Sequence, residues 1–237
     1  MGNSKVLGLV GLLLLVWVSL AGAQEVAGRW GIGILWNYDA PAFGLRDWYS
    51  GTSKIGGTFI YVSSPTRAVE VEYHRAEFTH GSIEEKEFEW AADGNRYLSP
   101  EASAEMTFSS VLVNAVLYSS KRGIPFSAAR YTPYLVVGGG FYGYEHKVSG
   151  LIYPGQKTKP LDPDVKLEPF SDTRKALGAN LGLGVEAFVT SNVSIDLRAR
   201  YNFIVGELRP MEAWGLKRVF PIQSADVGAC VKFYFWE

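Results

Sequence analysis

The sequence predicts an all-β protein: an eight-stranded antiparallel transmembrane β-barrel of up-and-down topology. Three observations carry this. Period-two alternation of apolar residues recurs in eight segments, the connections between them alternate long and short, and glycines gather on the polar face of the alternation. A strand sends successive side chains to opposite faces, so period two marks a strand lying between two unlike surroundings.

The chain opens with Lys5, an apolar run from Val6 to Leu20, and Ala21-Gly22-Ala23. A basic start, an apolar stretch and a small-x-small site are the parts of a secretory signal peptide, assigned to residues 1–23. The run is shorter than the ~20 residues a spanning helix needs. Residues 24–237 are then the barrel domain. The single cysteine, Cys230, leaves no intramolecular disulfide to expect. The formal net charge of −1 gives no electrostatic footprint for nucleic acid.

The first strand spans 27–38, with Trp30, Ile32, Ile34 and Trp36 on one face and Arg29, Gly31, Gly33 and Asn37 on the other. A second, weaker strand spans 54–62. In the third, 69–78, Val69, Val71 and Tyr73 stand opposite Glu70, Glu72 and His74. The fourth, 102–118, sets Met106, Phe108, Leu112 and Val116 against Glu105, Thr107 and Ser109. The fifth covers 131–145. The sixth and seventh, 177–189 and 193–203, alternate without a break: Leu181, Leu183, Val185, then Ile195, Leu197, Ala199, against Gly182, Gly184, Glu186, then Asp196, Arg198, Arg200. The eighth, 224–236, carries Val227, Ala229, Val231 and Phe233 against Gly228, Cys230 and Lys232. Segments 39–53, 79–101, 146–174 and 205–223 are the long connections.

Alternation alone does not say which face is wet. Twelve- or thirteen-residue strands exceed the globular norm of ~5–6 and suit tilted membrane-crossing strands. Glycines on the polar face suit the tight interior of a small barrel. One-sided long loops and aromatics near the ends of the apolar rows (Trp30, Trp36, Tyr61, Tyr73, Tyr201, Phe233, Phe235) are expected of a membrane barrel. The apolar face is therefore read as the outside, and an open sheet in hydrocarbon is excluded by its unpaired backbone groups.

The segments YTPYLVVGGGFYGYE, LGANLGLGVEAFVTSNVSIDLRARYNF and VGACVKFYF resemble the small outer-membrane barrels of Gram-negative bacteria, of the OmpA, OmpX, OmpW and opacity-protein type. The resemblance implies a porin-like scaffold in the bacterial outer membrane with both termini in the periplasm. It implies outer-membrane lipid, lipopolysaccharide and the barrel-assembly machinery as partners, and a monomer. One departure stands out: the chain ends Phe235-Trp236-Glu237, whereas such proteins usually end on an aromatic residue.

Parity assigns a lumen polar network of Arg29, Glu70, Glu72, His74, Glu105, Glu186, Asp196, Arg198, Arg200 and Lys232. Near-balance of charge suggests paired ions filling the interior, because isolated charges there are costly. The expected role is non-enzymatic: membrane integrity or surface interaction through four loops. A narrow channel for small, even hydrophobic, solutes is the alternative. A lipid A-modifying enzyme, using His80 and Ser82 near Glu72 and Glu77, is the third. Trp48, Tyr49, Phe88, Trp90 and Trp214 are candidates for an adhesive loop surface. The acidic run from Glu84 to Glu89 could hold divalent cations weakly or contact lipopolysaccharide through bridging ions, but charge runs are usually solvated and its spacing matches no calcium loop, so no cofactor or metal is expected.

Overall fold

The computed structural model describes residues 28–120, 131–190 and 192–235. The proposed signal peptide, most of the 119–130 connector, Ser191 and the terminal Trp236-Glu237 lie outside them. The barrel strands are β1 (Arg29–Pro41), β2 (Thr52–Ser64), β3 (Arg67–Phe78), β4 (Ser103–Tyr118), β5 (Tyr131–Ser149), β6 (Phe170–Phe188), β7 (Val193–Ile204) and β8 (Ile222–Phe235). Each pairs antiparallel with its sequence neighbour. The sheet closes where β1 meets β8, from Trp30 opposite Phe235 to Pro41 opposite Ser224.

The outward rows are apolar and exposed, as at Ile34 and Trp36 on β1, Leu183 on β6, Leu197 on β7 and Val227 on β8. In water such a surface would be untenable, since contiguous apolar patches this large mark a partner or a bilayer. Aromatics ring the belt: Trp30 stacks on Phe59 and Tyr61 at the short-turn end, with centroids 5.0 and 4.5 Å away.

Two expectations need correction. Loop 146–174 is shorter, because β5 and β6 run 19 residues each and stay paired from Tyr131–Ala187 to Val148–Phe170. The facing of β4 is inverted: Met106, Leu112 and Val116 are buried inside, while Glu105 is exposed on the outer wall. Glu105 is therefore no lumen residue. The inward face of β4 is apolar at both ends and polar only at Ser110 and Asn114, so its apolar residues do not mark the lipid side.

Candidate functional site: the lumen and its cap

The interior is filled in three layers. At the short-turn end lies an apolar cluster of Ile60, Val62, Ala68, Val116, Tyr118, Tyr134, Val136 and Tyr234. At the long-loop end lies a larger one, built from the upper strands and all four long loops. Between them sits a buried ionic layer.

Arg198 is the centre of that layer. Its guanidinium donates to Glu72 (2.5 Å), Glu70 (2.7 Å), Asp196 (2.9 Å) and, through Nε, the Tyr134 hydroxyl (2.7 Å). Lys232 Nζ bridges Glu70 (2.7 Å) and Asp196 (2.6 Å). Arg200 binds the other oxygen of Glu72 (2.6 Å) and reaches Asp226 (3.3 Å). His74 Nε2 lies 2.6 Å from Glu72. These side chains are nearly inaccessible; Tyr134 comes from β5 and the others from β3, β7 and β8, so the network ties opposite walls together across the lumen. A guanidinium offers five donors in a planar fork, which explains how one arginine can serve three carboxylates.

Glycine makes the room. A Cβ at Gly184 would lie 2.2 Å from Cζ of Tyr134, and one at Gly228 would lie 2.0 Å from Oδ1 of Asn37. Any side chain there would displace the groups that border the ions.

The parity rule thus brings Glu70, Glu72, His74, Asp196, Arg198, Arg200 and Lys232 into one network. Glu186 is buried apart from it, toward the short-turn end, accepting hydrogen bonds from Tyr118 (2.6 Å), Ser194 (2.6 Å) and Tyr234. Arg29 has the inward parity but stands half-exposed at the start of β1. The rule missed Asp226, which accepts from Lys54 (2.7 Å), Asn202 (2.7 Å) and Asn37 (3.0 Å), and missed Asp39, 2.9 Å from Lys54. Asp226 shares the parity of Gly228 and Lys232, and Asp39 that of Asn37. Both lie toward strand ends, where the flanking polar residues blur the alternation.

The loop aromatics are not an adhesive surface. Trp48, Tyr49, Phe88, Trp90 and Trp214 are buried and form the core of a cap over the long-loop mouth. Trp48 Nε1 donates to the carbonyl of Lys217 (3.0 Å), and Trp90 Nε1 to that of Gln156 (2.8 Å). Phe88 packs on Trp214 with centroids 5.6 Å apart. Tyr49 shares a 2.8 Å hydrogen bond with His146 Nδ1, and burial, then Glu105 and Glu84, pushes its phenol pKa up. Glu84 accepts from the backbone N–H groups of Gly81 (3.3 Å) and Ala104 (3.2 Å), so this acid of the run ties a loop to β4. His80 is exposed, 3.5 Å from Glu84. Where the ionic layer meets the cap, a cavity bounded by Asp39, Lys54, His74, Phe78 and Tyr142 has a volume of about 20 Å³, room for about one water. Among the described residues no cluster of His, Cys, Asp or Glu could hold a metal.

No protein-family model matches the chain, and no curated protein matches it. Solved structures do. Neisserial surface protein A superposes with a TM-score of 0.52 at 15% identity, covering 87% of this chain and 97% of that one. Ail, the attachment invasion locus protein of Yersinia pestis, gives 0.47 at 14% identity, covering 87% and 99%. OprG from Pseudomonas aeruginosa gives 0.42 at 12%, covering 88% and 97%. At these identities the likeness is one of architecture, and the architecture is that of the small eight-stranded outer-membrane barrels.

Proposed function

We propose that the protein is a non-enzymatic barrel of the bacterial outer membrane, delivered by its signal peptide and folded by the barrel-assembly machinery. Its interior is a structural plug, and it acts through membrane integrity or through the capped face that its long loops turn outward. The observation that carries this reading is the stacking of the lumen: an ionic layer whose adjoining cavity holds about one water, closed by an apolar cluster on each side. Eight-stranded barrels have interiors that side chains can just fill, and this one is filled.

Planar-bilayer recording tests the proposal. Refolded mature chain is expected to give no discrete current steps above the bare-membrane baseline. Reproducible unitary openings, abolished or altered in selectivity by Arg200→Ala, would replace the plug with a narrow channel.

A further inference from the structure

Strand β6 outruns one of its neighbours. It stays paired with β5 up to Phe170, but its last rung with β7 joins Gly178 to Ile204. Beyond that rung the Val205 N–H bonds back to the carbonyl of Leu177 at 2.8 Å. The chain then turns inward over the mouth, where the backbone N–H and C=O of Glu207 each lie 2.9 Å from the buried Tyr144 hydroxyl. One side of β6 is thereby left bare from Ser171 to Lys175.

Parity says which groups point there. Leu177 turns its carbonyl toward β7, and the backbone polar groups of a strand alternate between its two sides. The N–H and C=O groups of Ser171, Thr173 and Lys175 therefore face the same way. Among the described residues none of these six groups has a hydrogen-bond partner. The three side chains are exposed as well. Such an edge is a template for another strand, which proteins usually blunt with proline or a bulge. Between Phe170 and Ala176 there is no proline, and the register against β5 runs unbroken.

The charges on this edge select what can dock. Asp172 and Arg174 lie on the inner face, bonded to each other at 2.8 Å, and Lys175 lies on the outer face. Like charges set directly opposite each other destabilise a strand pair, and opposite charges favour it. An antiparallel strand centred on Thr173 meets Lys175, Arg174, Thr173, Asp172 and Ser171 in that order. The sequence that fits is therefore acid, acid, β-branched, base, hydroxyl. A second copy in the same membrane cannot supply it, because antiparallel pairing within one sheet turns the partner barrel end over end.

We propose that the bare edge of β6 binds an extended segment of another protein as an added antiparallel strand, selected by that charge order. Six backbone hydrogen bonds would hold it, and strand addition of this kind takes affinity from the main chain and specificity from alternate side chains. The proposal rests on the long-loop end facing outward, as the proposed function requires.

The test uses the mature chain in phosphatidylcholine nanodiscs and a fluorescent peptide with the core EDVRT, binding being read by anisotropy. The valine N–H of the bound peptide points at Thr173, whereas the aspartate N–H points away. One backbone hydrogen bond corresponds to about tenfold in affinity, so N-methylation of the valine should weaken binding at least about tenfold. N-methylation of the aspartate should leave it unchanged, and the charge-reversed core KRVDT should bind more weakly than EDVRT. Thr173→Pro removes the facing N–H without taking a bond from the β5 ladder. It should match the valine-methylated peptide while heat-modifiable mobility stays as in the wild type. Equal binding of the two methylated peptides, no binding of EDVRT by the inserted chain, or nanodiscs that pair through the protein without peptide would each overturn the edge site while leaving the barrel reading intact. A chain that does not insert into the nanodisc at all overturns both.

Discussion

The middle of the lumen and its long-loop end fill the same cylinder by opposite means. The middle uses ions: Arg198, Arg200, Lys232 and Lys54 against Glu70, Glu72, Asp196, Asp226 and Asp39. The end uses Trp48, Trp90, Phe88 and Trp214. The difference follows from the available material. Between the strands, every filling group must come from inward positions of a fixed ladder, and long flexible charged side chains can reach across it. Above the strands, loops can fold over and supply broad aromatic rings. The ionic layer is intolerant of losing one member, because a deserted carboxylate there is uncompensated. The cap loses only the contacts of the ring removed.

The sharpest way to break this contrast is Arg198→Met. It leaves Glu70 and Asp196 with Lys232 as their shared cation, and Glu72 with Arg200 and His74, around one gap, and a loss of about 3–5 kcal/mol is expected. Urea unfolding of the refolded barrel, followed by heat-modifiable gel mobility, measures it. A loss below about 1 kcal/mol would mean the ions are not what holds the middle together.

Trp90→Ala should cost up to about 3–5 kcal/mol within the cap, but the barrel should not register it. The cap is expected to open as a separate local unit. Limited proteolysis should then cut within 79–102 many times faster, with the barrel midpoint unmoved. A matching fall in that midpoint would show cap and barrel to be one cooperative body.

The smallest effect is one of pH. Arg218 and then Arg174, hydrogen-bonded to Glu207, hold its carboxyl below the usual range. A lowered folded-state pKa means stabilisation present above the ordinary carboxylate value and lost as pH falls through the folded one. The group is partly exposed and screened, so only a modest rise in cleavage of loop 205–221 is expected between pH 5 and 3. Glu207→Gln should remove that pH response, and a response that survives the substitution belongs to another group.

Most of the fold was legible because a barrel wall imposes one rule on every residue. Trp30 to Trp36 and Leu177 to Phe203 obey it, and both face outward as their parity says. Strand β4 misleads because its inward face crosses both apolar clusters, so Met106 and Val116 look like lipid-facing residues. Much of the ionic layer was legible for the same reason as the wall. Its pairing was not: nothing along the chain tells that Arg198 meets Glu70 and Glu72, whose separation in sequence only barrel closure overcomes. The cap was illegible for a further reason. Trp48, Trp90 and Trp214 lie in aperiodic loops, where a large ring signals a buried anchor and a sticky surface equally well.

The loop-to-loop ties have a consequence for recognition. Trp48 bonded to Lys217, Trp90 to Gln156 and Phe88 packed on Trp214 mean that loops distant in sequence share one surface fixed before any encounter. A binder of that surface has little loop entropy left to freeze out. By the same token, a synthetic peptide copying residues 79–102 lacks Trp48, Gln156 and Trp214, and with them the shape it has on the barrel. Antibodies raised against such a peptide would select for the unfolded chain, and those raised against the folded protein would be blind to the peptide.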